Sequence, residues 1–241
     1  MLLKLENPVL FSRVIEIISE LVTEVRIKVN ENGMSIVAID PANVSMVGFN
    51  LPRKSFSQFE VGNEVLGINL DNLKRILKRC GGNSSLIMEK RENMLNIQIH
   101  DRIIRNFNLN LIDIESEDKE MPNLEFATKV EINSIDLIDS IEDCAVVADA
   151  CSFLFQEGKF VIEARNINSA RSEFSGDEAK ISGENCRSKY SLEYLQKFMK
   201  GAKLCDKTIL NFANNHPLKV ELKTENMELD FVLAPRVETE D

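Results

Sequence analysis

The sequence has 241 residues, of which 44% are hydrophobic and 28% charged, so it can bury a core as one large domain or two of ordinary size. The net charge of −10 argues against a nucleic-acid partner unless the basic residues are segregated from the acidic ones. The five cysteines form no C-x-x-C pair, so the sequence indicates neither a disulfide framework nor a zinc site. No apolar run reaches the roughly 20 residues that a membrane span needs.

Hydrophobic periodicity predicts alternating strands and helices along the first half of the chain. Helical spacing of apolar residues predicts helices over 8–22 and from Leu70 to Cys80, the second ended by Gly81-Gly82. Asn7 is a candidate cap of the first helix, and the Asn32-Gly33 pair predicts a type I′ hairpin. Strands are predicted over 1–6, 25–29, 34–39, 44–50, 57–60, 65–69, 84–90, 94–100 and 102–111.

The second half of the chain repeats this order of elements. Five anchors match at offsets between 122 and 126 residues, as duplication with loop insertions predicts; a chance likeness of two α+β stretches is the alternative. The prediction is an α+β fold of two similar domains, 1–112 and 127–241, joined by an acidic connecting loop, 113–126. Each domain is expected to place two helices on one face of a long antiparallel sheet. The anchors pair Glu16 with Glu142, Asn32-Gly33 with Glu157-Gly158, Leu73/Ile76/Leu77 with Leu195/Phe198/Met199, Leu95–His100 with Leu218–Lys223, and Phe107–Leu111 with Leu229–Leu233.

Basic residues cluster on the outer faces of two matching helices. A basic helical face alone is commonly only a solvated surface, but here the acidic residues concentrate in the connecting loop and the C-terminal 238–241, so the signs are segregated. No aromatic residue interleaves with the basic ones, which favours contact with a duplex backbone over stacking on single strands. The candidate DNA-facing residues are Arg13, Lys74, Arg75, Lys78, Arg79, Lys197, Lys200 and Lys203.

Four segments resemble the proliferating cell nuclear antigen (PCNA) family of DNA sliding clamps, particularly its archaeal members. The resemblance implies the DNA clamp fold and a closed trimeric ring of six domains around duplex DNA, with no catalytic residue, metal or cofactor. A ring closed by head-to-tail contacts stays linked to DNA without binding it tightly. The net negative charge of the chain therefore no longer argues against a DNA partner. The segments are Ile39–Val47, Gly67–Lys78, Ser188–Leu195 and Leu233–Glu238.

The resemblance also implies a pocket for short partner peptides that carry an aliphatic residue and a pair of aromatics on a helical turn. Some of these residues can equally be ordinary strand core, which the sequence leaves open. The pocket residues implied are Ile39, Asn43, Val44, Met46, Ile114, Met121, Pro122, Pro217, Leu233, Ala234, Pro235, Arg236 and Val237.

Subunit contact in the family pairs the last strand of the first domain with a strand of the second, here around 101–109 and 169–176. Arg102 and Arg105 on one side and Asp136, Asp139 and Asp143 near the other are expected to add ion pairs. The helix from Ser134 is acidic where relatives usually place basic residues, so whether it contacts DNA or the neighbouring subunit stays open. The implied interface residues are Arg102, Arg105, Phe107, Asp139, Asp143, Arg171, Glu173 and Phe174.

The function implied is a clamp that confers processivity on DNA polymerase and tethers replication and repair enzymes. Expected partners are duplex DNA, DNA polymerase, the clamp loader (replication factor C), flap endonuclease and DNA ligase, in the cytoplasm with the nucleoid and with no membrane. The ring can be formed of identical subunits or of different ones, and a monomeric adaptor is the alternative. A metal-dependent hydrolase using Asp40, Asp71 and Asp113 is the enzymatic alternative, although no common catalytic motif is present.

Overall fold

A computed structural model describes residues 1–115 and 118–237, so the acidic 238–241 and part of the connecting loop lie outside the described residues. The chain divides into two compact units. The first comprises Met1–Pro41, Val47–Met121 and Glu225–Glu228, and the second comprises Ala42–Met46, Pro122–Thr224 and Leu229–Asp241. No helix in the described part is long and apolar enough to cross a membrane.

The first unit arranges its strands in two groups. The elements, the first two residues of β4 belonging to the second unit, are β1 (Leu2–Leu5), α1 (Val9–Ile18), β2 (Glu24–Asn30), β3 (Gly33–Ile39), β4 (Ser45–Pro52), a short 3-10 helix (Arg53–Ser55), β5 (Gln58–Glu60), β6 (Glu64–Asn69), α2 (Leu70–Leu77), β7 (Ser85–Arg91), β8 (Met94–His100) and β9 (Ile104–Asn110). One group has the neighbour order β5-β1-β7-β8-β9 and the other the order β4-β3-β2-β6, and the helices α1 and α2 pack against each other.

The second unit has the same organisation. The elements are β10 (Thr128–Asn133), α3 (Ser134–Val147), β11 (Ala150–Gln156), β12 (Lys159–Arg165), β13 (Ser169–Phe174), β14 (Ala179–Gly183), β15 (Cys186–Ser191), α4 (Leu192–Ala202), β16 (Lys207–Phe212), β17 (Leu218–Lys223) and β18 (Glu228–Leu233). The strand groups have the orders β14-β10-β16-β17-β18 and β13-β12-β11-β15, and α3 packs against α4.

The predicted duplication is confirmed by the topology. Each unit runs strand, helix, five strands, helix, three strands, and the neighbour orders correspond strand for strand. The expectation of one long sheet in each domain is wrong, because the strands of each unit fall into two groups that both bury one face. Leu86 and Met88 are buried from one group of the first unit, and Ile27 and Val29 are buried from the other.

The helices bury the apolar stripes that their spacing predicts. In α2 the residues Leu73 and Leu77 are buried, and in α4 the matching Leu195 and Met199 are buried. Both helices of the first unit are shorter than predicted. After α1 the N–H groups of Glu20 and Leu21 donate to carbonyls three residues earlier, and after α2 those of Arg79 and Cys80 do the same. The last predicted turn of each helix therefore has hydrogen bonds of the 3-10 type instead of the α type.

The turn between β2 and β3 departs from the predicted conformation, whereas the matching turn of the second unit does not. A type I′ turn needs positive φ at both central residues, and neither Glu31 nor Asn32, the two residues between β2 and β3, has it. The prediction of a type I′ turn there is wrong, because Asn30 Oδ1 accepts a hydrogen bond from Asn32 N–H at 2.9 Å and Gly33 instead opens β3 with φ of 143°. The matching turn of the second unit, Glu157-Gly158, has φ of 52° and 75°.

Candidate DNA-facing and partner-docking surfaces

The predicted basic residues of the first unit differ in their ion pairing. Lys74 donates to Asp71 at 2.8 Å and to Ser19 Oγ at 3.0 Å, and its bond lowers the pKa of Asp71. Lys78 lies 2.6 Å from Glu16 across the two helices. These two lysines are therefore engaged within the unit.

Lys197 of the basic helix α4 in the second unit is also engaged within its unit. Lys197 donates to Glu193 at 3.0 Å, one turn earlier, and lies 5.1 Å from the centre of the Tyr194 ring. Lys200 and Lys203 are exposed. The aliphatic stem of Lys197 is thus held along the helix.

Four of the predicted cations are exposed and carry no ion pair within the residues that the structure describes. This set is Arg13, Arg75, Arg79 and Lys203. An unpaired guanidinium or ammonium can meet a phosphate without first leaving a carboxylate, so these four are the stronger candidates for backbone contact. Lys74 and Lys197 each pair with a carboxylate about one helical turn earlier, as helical spacing allows, whereas the pairing of Lys78 with Glu16 was not predictable from spacing.

Helix α3 carries an acidic outer face, as its sequence predicts. Asp139, Glu142 and Asp143 are exposed, and no basic residue lies in the helix. Sequence reasoning missed two apolar residues on this side, since Ile135 is 67% and Val146 is 84% exposed. The acidic and apolar composition does not suit phosphate contact and is typical of a protein-contacting surface.

The C-terminal segment of the second unit is held by main-chain bonds. Ala234 N–H donates to the carbonyl of Val44 at 2.9 Å, and Arg236 N–H donates to that of Lys189 at 2.7 Å. The Arg236 guanidinium also lies 3.0 Å from Asp149, and its hydrogen bond lowers the pKa of that carboxyl group. The segment containing Ala234, Pro235 and Val237 is therefore fixed against its own unit.

Two residues next to the predicted pocket residue Pro217 were missed. The Phe126 ring meets the ring of His216 edge to face at 5.6 Å, and the His216 carbonyl accepts a hydrogen bond from the buried Tyr190 hydroxyl at 2.8 Å. Phe126 and His216 are both half-buried. An aromatic directly after the connecting-loop acids was the available signal for Phe126.

The predicted pocket residues of the second unit are not all on its surface. Leu233 is 0% exposed, so its assignment to the pocket wall is wrong; it belongs to the core because the inward-facing alternation of β18 includes it. Val44, Met46, Pro217, Ala234 and Pro235 are half-buried. Asn43, Pro122, Arg236 and Val237 are exposed.

In the first unit the structure describes Ile39, Ile114 and Met121 as half-buried. Ile114 and Met121 pack where glycines leave space. A Cβ built on Gly67 would lie 3.3 Å from Ile114 Cγ1, and one built on Gly48 would lie 2.9 Å from Met121 Cγ. The connecting loop is thus in close contact with the strands of its unit.

The strands predicted for subunit contact, β9 and β13, are each last in their group. Arg102 is exposed and Phe107 half-buried, but Arg105 pairs with Asp101 and Arg171 pairs with Glu163 and Glu173. The bond from Arg171 lowers the pKa of Glu173. Intrachain pairing therefore occupies Arg105 and Arg171.

Phe174 is not presented at the surface of β13. It is buried and stacks on Phe160 with ring centres 5.9 Å apart, so its assignment to the interface is wrong. The reason is the alternation of β13, in which Ala170 and Ser172 are half-buried and Phe174 is buried.

The enzymatic alternative finds no support. Within residues 1–115 and 118–237, no group of three His, Cys, Asp or Glu residues is close enough to hold a metal ion, so Asp40, Asp71 and Asp113 form no carboxylate site. The cysteines are free, and burial raises the pKa of Cys80 and of Cys205 to about 11. A raised pKa keeps a thiol protonated and unreactive.

The chain is similar to known proteins over nearly its whole length. The family model for the N-terminal domain of proliferating cell nuclear antigen matches residues 1–120, and the model for the C-terminal domain matches residues 158–237. The DNA polymerase sliding clamp of Pyrococcus horikoshii is 34% identical over 243 residues, covering 95% of each chain. DNA polymerase sliding clamp 1 of Thermococcus kodakarensis is 36% identical over 236 residues, again covering 95% of each.

Solved structures agree with this fold. The crystal structure of the PCNA2–PCNA3 complex from Sulfolobus tokodaii has a TM-score of 0.88 and 27% identity, covering 99% of this chain and 100% of that chain. The antigen from Entamoeba histolytica has a TM-score of 0.90 at 24% identity and covers 98% of each chain. The duplicated α+β fold, the family models and the full-length relatives agree, and the chain belongs to the proliferating cell nuclear antigen family of DNA sliding clamps.

Proposed function

We propose that three copies of this chain join head to tail into a closed ring that encircles duplex DNA. The observation that carries the proposal is that β9 and β13 are terminal strands, each without a strand partner on its outer side in the described part of the chain. An open strand edge needs a partner or protection. Pairing β9 of one copy with β13 of the next joins the same two edges at every junction. Such heterologous contacts can close a ring.

Side chains near these edges support the junction. Arg102 carries no ion pair among the described residues, and the exposed Asp139 and Asp143 lie on a helix with no basic residue. Opposite charges across a junction favour one register over others. The exposed Ile135 and Val146 on the same helix provide apolar surface for the neighbour to cover.

Contact with DNA in this proposal is made by the unpaired cations on the helices and just after their ends. Arg13, Arg75, Arg79 and Lys203 meet phosphates without reading bases, and salt screens these contacts enough for the ring to slide. Weak contact is sufficient because a closed ring stays linked to its DNA.

The partners proposed are DNA polymerase, the clamp loader (replication factor C), flap endonuclease and DNA ligase, bound through short peptides. Support comes from the relatives named DNA polymerase sliding clamp and from the half-buried apolar side chains of the connecting loop and C-terminal segment. The chain itself carries no catalysis and works in the cytoplasm with the nucleoid. The domains 1–112 and 127–241, with the connecting loop 113–126, stay a prediction.

Light scattering after size exclusion tests the ring, and stimulation of a polymerase on primed circular DNA tests the function. A mass of three chains together with longer products is the expected result. The Sulfolobus tokodaii structure is a complex of two different clamp chains, PCNA2 and PCNA3. If the present chain stays monomeric alone, co-expression with a second clamp chain decides between a ring of different subunits and the absence of any ring.

A further inference from the structure

The connecting loop and Ile112, the residue before it, are fastened to the first unit at three places. Ile112 N–H donates to the Gly67 carbonyl of β6 at 2.9 Å. The Asp118 carboxylate lies 3.2 Å from Arg26 and 2.9 Å from Lys28, both on β2. Met121 then packs on Gly48 of β4. Ile112, Asp118 and Met121 therefore contact β6, β2 and β4, three strands of one group.

The two outer contacts depend on glycine. A Cβ on Gly67 would lie 2.0 Å from the Ile112 carbonyl oxygen, and a Cβ on Gly48 would lie 2.9 Å from Met121 Cγ. Contacts below 3.0 Å require something to shift. These strands thus provide the space in which the loop sits, at both ends of its path.

The middle contact is ionic. Arg26 and Lys28 are two residues apart on a strand, so their side chains project from the same face, and one carboxylate meets both. The hydrogen bond from Lys28, followed by the charges of both bases, lowers the pKa of Asp118. The other described loop acids, Asp113, Glu115, Glu120 and Glu125, form no ion pair in the described part of the chain. The contact is specific to Asp118.

We propose that Arg26 and Lys28 are positioning residues for partner docking, because through Asp118 they hold the connecting loop across the strands and fix Met121 against Gly48. The inference rests on the proposed docking function, in which Met121 belongs to the peptide pocket. Exposed ion pairs contribute little to folding stability. A loop already ordered, in contrast, has less conformational entropy to lose when a partner binds.

The test measures binding of a synthetic peptide, with one aliphatic and two aromatic anchors, to the full chain by calorimetry. Asp118→Asn is expected to raise the Kd about two- to fivefold at low salt, the range expected for exposed ion pairs, and the difference should vanish at high salt. Asp113→Asn is the matched control, because it removes the same charge from the same loop, and its Kd should equal that of the wild type. The melting temperature should be unchanged in both variants.

A charge swap separates positioning from simple charge. Asp118→Lys combined with Arg26→Glu and Lys28→Glu should restore the wild-type Kd and slow hydrogen exchange at Ile112, which Asp118→Asn should accelerate. Equal Kd values for wild type and Asp118→Asn at low salt, or equal weakening by Asp113→Asn, would overturn the inference while leaving peptide docking intact. A wild-type chain that binds no peptide would overturn the docking function itself.

Discussion

The ion pairing of the basic helices predicts that residues of equal charge contribute unequally to DNA binding. We compare two double variants in α2 and the turn that follows it, Arg75→Gln with Arg79→Gln and Lys74→Gln with Lys78→Gln. Each removes two positive charges per chain from the same helix region, so long-range electrostatics change equally. The arginines carry no ion pair among the described residues, whereas Lys74 is bound to Asp71 and Lys78 to Glu16.

The magnitude follows from counterion release. Each phosphate contact contributes about 0.9 to the slope of log K against log salt, so losing two contacts should flatten the slope by about 1.8 per engaged chain. An exposed ion pair shifts an equilibrium by at most about fivefold. The carboxylates of Asp71 and Glu16 compete with phosphate for the two lysines and lower their phosphate contact by up to that factor. Removing the lysines should therefore flatten the slope by clearly less than removing the arginines.

The assay is fluorescence anisotropy of a short linear duplex at several low salt concentrations, with trimer mass checked for each variant. A larger flattening of the salt slope in the arginine variant than in the lysine variant supports direct phosphate contact by Arg75 and Arg79. Identical slopes for both variants would refute the reasoning, because net charge alone would then account for binding. Unchanged slopes in both would place α2 away from the DNA.

Three further predictions concern core, acid stability and the acidic helix. Leu233→Ala should lower the free energy of unfolding by about 2–5 kcal/mol in urea titration, since the side chain is 0% exposed, whereas Pro235→Ala should weaken peptide binding with little change in stability. Burial raises the pKa of Glu221, but the Lys223 hydrogen bond, the charges of Lys219 and Lys223 and the Asn211 bond outweigh it, so the pKa lies below 4.5. The stabilisation is therefore present above pH 4.5 and lost as pH falls through the folded pKa; Glu221→Gln should cost about 1–2 kcal/mol at neutral pH, and a gap from wild type that persists in acid would contradict this. Asp139→Asn with Asp143→Asn should shift the trimer towards monomer on dilution in light scattering, and an intact trimer with tighter DNA binding would instead place α3 at the duplex.

The duplicated fold was predictable because it depends on periodicity, which sequence displays directly. The matched stripes Leu73 and Leu77, and Leu195 and Met199, are buried as predicted. Each stripe is a local property of one helix, and its burial needs no knowledge of the partner surface. The same reasoning located the strands of the first unit to within a few residues.

Side-chain partnerships between residues distant in sequence were not predictable, unlike pairs one helical turn apart such as Lys197 and Glu193. Lys78 meets Glu16 of another helix, and no spacing rule connects them. Leu233 and Ala234 are adjacent, yet one is buried at the end of a strand and the other is half-buried beyond it. Burial there depends on where the strand ends, which is the least reliable part of a prediction from sequence.

The prediction of the turn type after β2 was wrong for a related reason. Asn32-Gly33 is a strong local signal for type I′, but Gly33 is needed elsewhere: a Cβ there would lie 2.3 Å from the Leu51 carbonyl oxygen. A tertiary contact thus determined what the glycine does. Glu157-Gly158, with weaker turn residues, adopts the positive φ values that the stronger signal predicted for the first unit.

The two halves keep one backbone plan but differ in surface chemistry at matching positions. Asn96, Gln98 and His100 of β8 form a chain of amide and imidazole hydrogen bonds. The matching residues of β17 are Lys219, Glu221 and Lys223, which pair by charge. The acidic α3 likewise matches α1, which carries Arg13. Because core stripes persist while outer faces change, the duplication constrains packing and leaves each outer face free to acquire its own partner.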